Sequence, residues 1–345
     1  MSGFYLTRYN LRHMYQKHLD DEEEIVQAIK RGELDHPELN EPEHHIETGL
    51  AHVFFFGERV FKQYKIVNDH DHFIKGVLAP TERRHIFIER DFAINQHFSQ
   101  GVYKTMNILT IEKKILPYER RTPHVLVEME RLDFSKNFHE QLRKGEVTDG
   151  QLYELGQYVA KSVEESPNDV PEGLNWYELA MKRLSFLEQF IDWMPEEKGK
   201  ILKEAKCVEL LRQHLETHKS AYEAITSEQL VISMDNHDEN IFLRESGPVF
   251  IDVVPPMESW WYGVSWINLA NIVVNVETLR GGEAAAHVER GFLDYHGLVS
   301  LPEPEYSFTK ALAYVISAVH FGSTEGKEEV GQKYIEACTH IHEWL

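Results

Sequence analysis

"ISMDNHDENIFLRESGPVFIDVV" runs from Ile232 to Val254. Short apolar runs over 229–233, 240–244 and 249–254 read as strands, and Asp235, Asp238, Glu239, Glu245 and Asp252 are set among them. Burying a carboxylate without a partner is costly, so acids at the ends of apolar strands need a reason. Asp235 and Asn240 fall on one expected loop. A strand pair turning at "ESGP" (245–248) then returns the chain, which brings Asp252 back beside Asn240. Two carboxylates and one amide thus collect around a single point. Phosphoryl transfer uses such a set: a carboxylate near the acceptor hydroxyl, and an amide and a second carboxylate holding divalent metal on the nucleotide phosphates. Magnesium prefers such oxygen ligands. Two aspartates and an asparagine can also hold metal for hydrolysis, a reading that leaves the first third of the chain unexplained. Asp238, Glu239 and Glu245 read as solvated loop acids.

The 345 residues are 42% hydrophobic and 27% charged, enough for one large domain or two ordinary ones and typical of a globular protein. No apolar run reaches the length of a membrane span, and "MSGFYLTRYNLRHMYQKHLDDEEE" has neither the apolar core nor the cleavage site of a secretory signal. The net charge is −21, from 36 basic and 57 acidic residues, which argues against a nucleic-acid partner. Cys207 and Cys338 are far apart in sequence and read as buried free thiols, as expected in a reducing cytoplasm. The 20 histidines show no zinc spacing, and His44-His45 and the group His70, Asp71 and His72 read as solvated loop residues.

The chain has two unequal parts. Residues 21–33 read as a short helix whose acidic run 20–24 is a solvated start, followed by a proline-containing loop. Over 46–67 two β-rich runs flank Gly57-Glu58, a hairpin signal. A helix is expected over 81–100 and strands over 105–113 and 124–132. From Asn137 onward helices dominate: one through Leu152, Leu155, Val159 and Val163, then 175–193, 199–224, 265–280, 283–296, 307–321 and 325–344. The expectation is an α+β fold. Residues 1–132 form a small sheet-rich lobe with a helical extension, and 133–345 form a larger helical lobe carrying one β-hairpin. A ligand is expected in the cleft between them.

"SMDNHDENIFL…VFID" resembles the "HGDLHxxN…FID" signature of aminoglycoside-phosphotransferase-like kinases, which share the protein-kinase-like fold. "IETGLAHVFFFGERVFKQYK", "ERRHIFIERDFAINQHF" and "HEQLRKGEVTDGQL" are similar to segments of a bacterial subgroup of predicted small-molecule kinases in that family. The resemblance covers about 25–165 and 228–280. It implies ATP and Mg2+ as cofactors and a small-molecule hydroxyl as acceptor. Asp235 takes the catalytic aspartate position, and Asn240 and Asp252 the metal-ligand positions. Lys62 matches the lysine on the nucleotide phosphates, with Lys65 a nearby competitor. Asp91 falls where the lysine's acidic partner is expected, with Glu89 half a turn away. The adenine hinge falls in "VEMERL", around Glu128 to Arg131, with Glu128 and Met129 as its nucleotide contacts, and Gly49 lies in the turn over the phosphates. His237 sits where the family often has histidine, and a loop hydrogen bond explains it equally well.

The departures are Ser233 and Met234 for the family's His-Gly, and "GVSWINLA" (263–270) for its "GDPxxDLA", which puts Val264 and Asn268 at aspartate positions. Those residues brace the catalytic loop in the family, so their change predicts weaker preorganisation. A nucleotide-binding protein without transfer, or transfer of AMP to a protein, are the alternatives on the same fold. Trp260, Trp261 and Tyr262 either line an acceptor pocket or pack between helices, and Glu258 reads as exposed.

Overall fold

The computed structural model describes residues 2–66, 78–79, 82–99, 101–167 and 169–345, with side chains of the first helix from Gln16 onward. The chain divides into two compact units, Met1–Asp133 and Phe134–Leu345. His70, Asp71 and His72 lie outside the described residues.

The first unit opens with helix α1, Ser2–Lys30. It is far longer than the expected 21–33, because residues 4–31 contain neither glycine nor proline to stop it. The run 20–24 is therefore mid-helix. Glu22 is buried there, accepting from the Ile66 N–H at 2.5 Å and facing His52 at 3.6 Å, so it is not a solvated helix start. One turn on, Ile25, Val26 and Ile29 pack with Leu34 and Leu39 against Phe54, Phe61, Leu109 and Leu126 of the sheet. That sheet is antiparallel with order β1-β2-β3-β6-β4-β5. Its strands are β1 His44–Glu47, β2 Ala51–Phe56, β3 Arg59–Tyr64, β4 Tyr103–Leu109, β5 Ile115–Pro117 and β6 Val125–Glu130. The hairpin at Gly57-Glu58 forms as expected, with Gly57 at φ 58°, a left-handed value that favours glycine. His44 and His45 are strand residues, not loop residues, and His45 stacks on Phe54 at 4.8 Å. Helix α2, Glu82–Phe98, buries Phe87, Ile88, Asp91, Ile94 and Asn95.

The second unit holds α3 Phe138–Lys144, α4 Asp149–Glu164, α5 Trp176–Trp193, α6 Glu196–Glu204, α7 Cys207–Thr217 and α8 Lys219–Glu223. It continues with α9 Ser265–Arg280, α10 Gly282–His296, α11 Glu305–Ser323 and α12 Glu328–Cys338. The single helix expected over 199–224 is three helices. Lys206 takes a left-handed turn at φ 52° between α6 and α7, and His218 leaves helical geometry between α7 and α8. Cys207 and Cys338, distant in sequence, are both buried and adjacent: the Cys207 thiol donates to the Cys338 carbonyl at 3.4 Å. Two small antiparallel sheets interrupt the helices, β7 Leu230–Ile232 with β10 Tyr262–Val264, and β8 Ile241–Arg244 with β9 Gly247–Phe250. Among the described residues, no helix is long and apolar enough to cross a membrane.

Candidate active site

The loop after β7 is built on a ladder and an amide. The Ser233 N–H donates to the Trp261 carbonyl at 2.9 Å, extending the β7–β10 pairing, and buries Ser233. Asn268, fully buried on the first turn of α9, accepts from the Met234 N–H at 2.8 Å and donates to the Ile232 carbonyl at 2.9 Å. Its own carbonyl receives the Asn236 amide at 2.7 Å, and Asn271 donates to the Asn236 side chain at 2.9 Å. An amide offers donor and acceptor together, whereas an ionised carboxylate only accepts and could not bond the Ile232 carbonyl. The weakened brace expected at Asn268 is therefore absent: asparagine is the brace. Asn271 is a bracing residue that no motif pointed to.

Asp235, Asn240 and Asp252 are laced through their backbones. The Asp235 N–H donates to the Val253 carbonyl at 2.7 Å, and the Ile251 N–H donates to the Asn240 carbonyl at 2.9 Å. The Asn240 side chain gives its Nδ2 to the Asp235 carbonyl at 3.1 Å. The residue between the two anchor points, Asp252, has φ 51°. Left-handed backbone is uncommon outside glycine and costs a side-chain-bearing residue roughly 1–2 kcal/mol, less for Asp and Asn. Such strain persists where the surroundings over-determine it, often at functional positions. Burial is the main reason the Asp235 carboxyl is pushed up to about 6; His320 pulls it back, and the charge of Asp252 adds to the rise.

The remaining loop side chains differ from expectation. Asp238 is not solvated: it is fully buried and bonded to His139 Nδ1 of α3 at 2.7 Å. Glu239 is half-buried, paired with Lys327 at 2.6 Å and 3.8 Å from His320. Burial alone would raise Glu239, but its bonds to His320 and Lys327 outweigh it and hold the carboxyl well below the usual range. His237 lies against His320, ring centroids 4.6 Å apart, and burial, with His320 beside it, pushes it down to about 4. Glu245 is exposed, as expected. His139, His320 and Lys327 went unforeseen because each joins the loop from a distant helix or loop.

In the first unit, Lys62 of β3 lies 3.6 Å from Asp91 of α2, and both side chains are buried. Asp91 also accepts from the Tyr64 hydroxyl and from the Asn95 amide at 2.8 Å. The competitors are engaged elsewhere: Lys65 with Glu47 at 2.8 Å, and Glu89 with Arg120 and Tyr118 at 2.6 and 2.8 Å. Gly49 lies in the turn joining β1 to β2, and a Cβ there would meet nothing within 4 Å. Glu128 and Met129 do not sit in an open connector. They are inside β6, paired to β3 on one side and β4 on the other, and the Glu128 carboxylate is bonded to Arg59 at 2.8 Å. The backbone leaves the sheet only after Glu130 N–H bonds Val102 and Arg131 N–H bonds Glu58. Leu132 is the first residue beyond, and its N–H has no hydrogen-bond partner among the described residues.

Trp260, Trp261 and Tyr262 are all buried by packing. Trp261 donates to the Pro255 carbonyl at 2.8 Å, and Tyr262 to the Asp169 carbonyl at 3.2 Å. Arg183 of α5, itself buried, lies over the Trp176 and Trp260 rings at 5.3 and 5.4 Å and donates to the Trp260 and Tyr262 carbonyls. Glu258 is exposed.

No family model and no curated protein matches the chain. Solved structures do. A microcompartment-associated aminopropanol kinase superposes at a TM-score of 0.51 and 14% identity, over 91% of this chain and 93% of that one. The chain has the fold of this small-molecule kinase. That fold is α+β, a sheet-rich N-terminal part followed by a helical part with the β8–β9 hairpin, the protein-kinase-like arrangement expected from the motifs. A choline/ethanolamine kinase family protein from Mesorhizobium loti aligns at a TM-score of 0.49 and 12% identity, over 94% of this chain and 95% of that one. An aminoglycoside phosphotransferase from Streptomyces rimosus, solved with ADP and streptomycin, aligns at 0.49 and 14%, over 83% and 96%.

Proposed function

We propose that the chain is an ATP- and Mg2+-dependent phosphotransferase acting on a hydroxyl of a small molecule. The observation that carries this reading is the lacing of Asp235, Asn240 and a left-handed Asp252 into one loop and hairpin. The donor set suits a hard cation, since Asn240 spends its Nδ2 on the Asp235 carbonyl and keeps Oδ1 for a ligand, while Asp252 adds a carboxylate. Magnesium held by Asn240 and Asp252 would offset phosphate charge. Asp235, with its carboxyl near 6, is ionised at neutral pH; it would orient the acceptor hydroxyl and take its proton. Lys62, positioned by Asp91, would contact the phosphates, and Gly49 would let backbone approach them. For the adenine edge, the Leu132 N–H is a better donor than Glu128 or Met129, whose strand is paired on both sides.

The aminopropanol kinase makes amino alcohols the first acceptors to test. The acidic chain suits such cationic acceptors, and we place it in the cytoplasm without nucleic-acid or membrane partners. The alternative without transfer draws on Ser233, Val264 and Asn268, and the bracing by Asn268 removes part of its motive. The test is calorimetry of ATP and Mg2+ against wild type and Asp252→Ala. Binding by wild type that is lost in the variant is expected; no binding by wild type overturns the reading.

A further inference from the structure

Three side chains of the first unit have no part in phosphoryl transfer. His18 and Asp21 lie three residues apart on α1 and so share a face. His124 immediately precedes β6. One potential ligand atom from each lies within 4.8 Å of the other two, and the His18 and His124 rings meet edge to face with centroids 6.3 Å apart. His124 is only 2% exposed, yet neither of its ring nitrogens has a hydrogen-bond partner among the described residues. A buried imidazole with both nitrogens unmet carries a desolvation penalty that a ligand would relieve.

We propose that His18, Asp21 and His124 bind a borderline divalent metal ion, with Zn2+ the best fit. Two imidazoles and a carboxylate, with water at the fourth position, are a set that zinc takes, whereas magnesium calls for oxygen ligands. Bonds of about 2.0–2.2 Å put tetrahedral ligand atoms about 3.3 Å apart, so ligand atoms now within 4.8 Å of one another close by at most about 1.5 Å on binding. His18 and Asp21 are half-buried, which leaves access for the ion and its water. Imidazole must be neutral to ligate. Burial, reinforced by Arg84 and His18, pushes His124 down to about 3 and keeps it so. Burial also lowers His18, with Asp21 acting against the shift and Lys17 and Arg84 with it. Arg84 is the opposing charge. Its guanidinium donates to the carbonyls of Tyr64, Lys65, Leu78 and Pro123, so it fixes the backbone next to His124 while lowering the affinity below that of an isolated site. The ligands come from α1 and from the residue just before β6, more than a hundred residues apart, so no sequence spacing announces them. Bound metal would tie α1 to the sheet one turn before Glu22 and Ile25 do.

The test titrates the full-length protein, without nucleotide, with Zn2+ by calorimetry and with Co2+ by visible absorption. Wild type is expected to take one equivalent with a tetrahedral Co2+ spectrum. His18→Ala and the near-isosteric Asp21→Asn should each weaken it by ~100-fold or more, since even mutations behind a ligand cost 10–100-fold. His320→Ala, which disrupts the histidine–glutamate group beside Asp235, should keep it. Zn2+ should raise the melting midpoint of wild type and not of Asp21→Asn. No uptake by wild type, or wild-type uptake by both His18→Ala and Asp21→Asn, overturns the proposal.

Discussion

Replacing Asp235 by Asn should stabilise the protein while abolishing transfer. The folded carboxyl sits near 6 against a reference of 3.8, a rise of about 2 units. At 1.36 kcal/mol per unit this is about 3 kcal/mol, an upper figure because the side chain is partly exposed. The sign follows from which form folding favours. Above pH 6 the carboxyl is ionised in both states, and the folded state bears the full penalty of holding that charge. Between 6 and 3.8 the folded state takes up a proton that the unfolded state does not, and the penalty shrinks. Below 3.8 it is gone. Wild type therefore loses stability as pH rises from about 4 to 6, and a neutral amide does not. The assay is thermal melting of wild type and Asp235→Asn at pH 7.5, 5 and 4. For a unit of ~200 residues, 1 kcal/mol moves the midpoint by about 2–4 °C, so a gain of roughly 5–10 °C is expected at pH 7.5, falling toward zero by pH 4. A variant no more stable than wild type at pH 7.5, or a gain that does not change with pH, refutes the reasoning.

Other substitutions separate structural from chemical roles. Asn268→Asp removes the donor to Ile232 and sets two acceptors against each other in a buried site; a loss of about 1–3 kcal/mol and slower turnover are expected by melting and steady-state kinetics. Lys62→Ala removes the ion pair of the buried Asp91 carboxylate, which should cost about 3 kcal/mol by denaturation and weaken ATP by ~10-fold or more in calorimetry. Asp252→Gly relieves the left-handed backbone, so the melting midpoint should hold or rise while Mg2+-dependent ATP binding disappears.

What could be read in advance was local. Asp235, Asn240 and Asp252 belong to one loop and hairpin, so their spacing alone brought them together, and the Gly57 turn carried its own signal. Asp238 was read as solvated because its partner, His139, lies 99 residues away and on a helix. The same distance hid His320 and Lys327 beside Glu239. The breaks at Lys206 and His218 have no glycine or proline to mark them; they show only in the left-handed Lys206 and the non-helical His218 backbone. The run "VEMERL" (127–132) does not itself mark where the strand ends; only the pairing of β6 on both sides shows that the sheet continues through Glu130. Asn268 looked like a lost aspartate until its two bonds showed that a donor is required there.

The most direct measurement of the central claim is product analysis of purified protein with Mg2+-ATP and a panel of small amino alcohols, followed by phosphorus NMR. The account predicts acceptor-dependent formation of ADP and a phosphate monoester, abolished in Asp235→Asn although that variant still binds ATP. Release of pyrophosphate with AMP transfer, or ADP formation undiminished in Asp235→Asn, would contradict it.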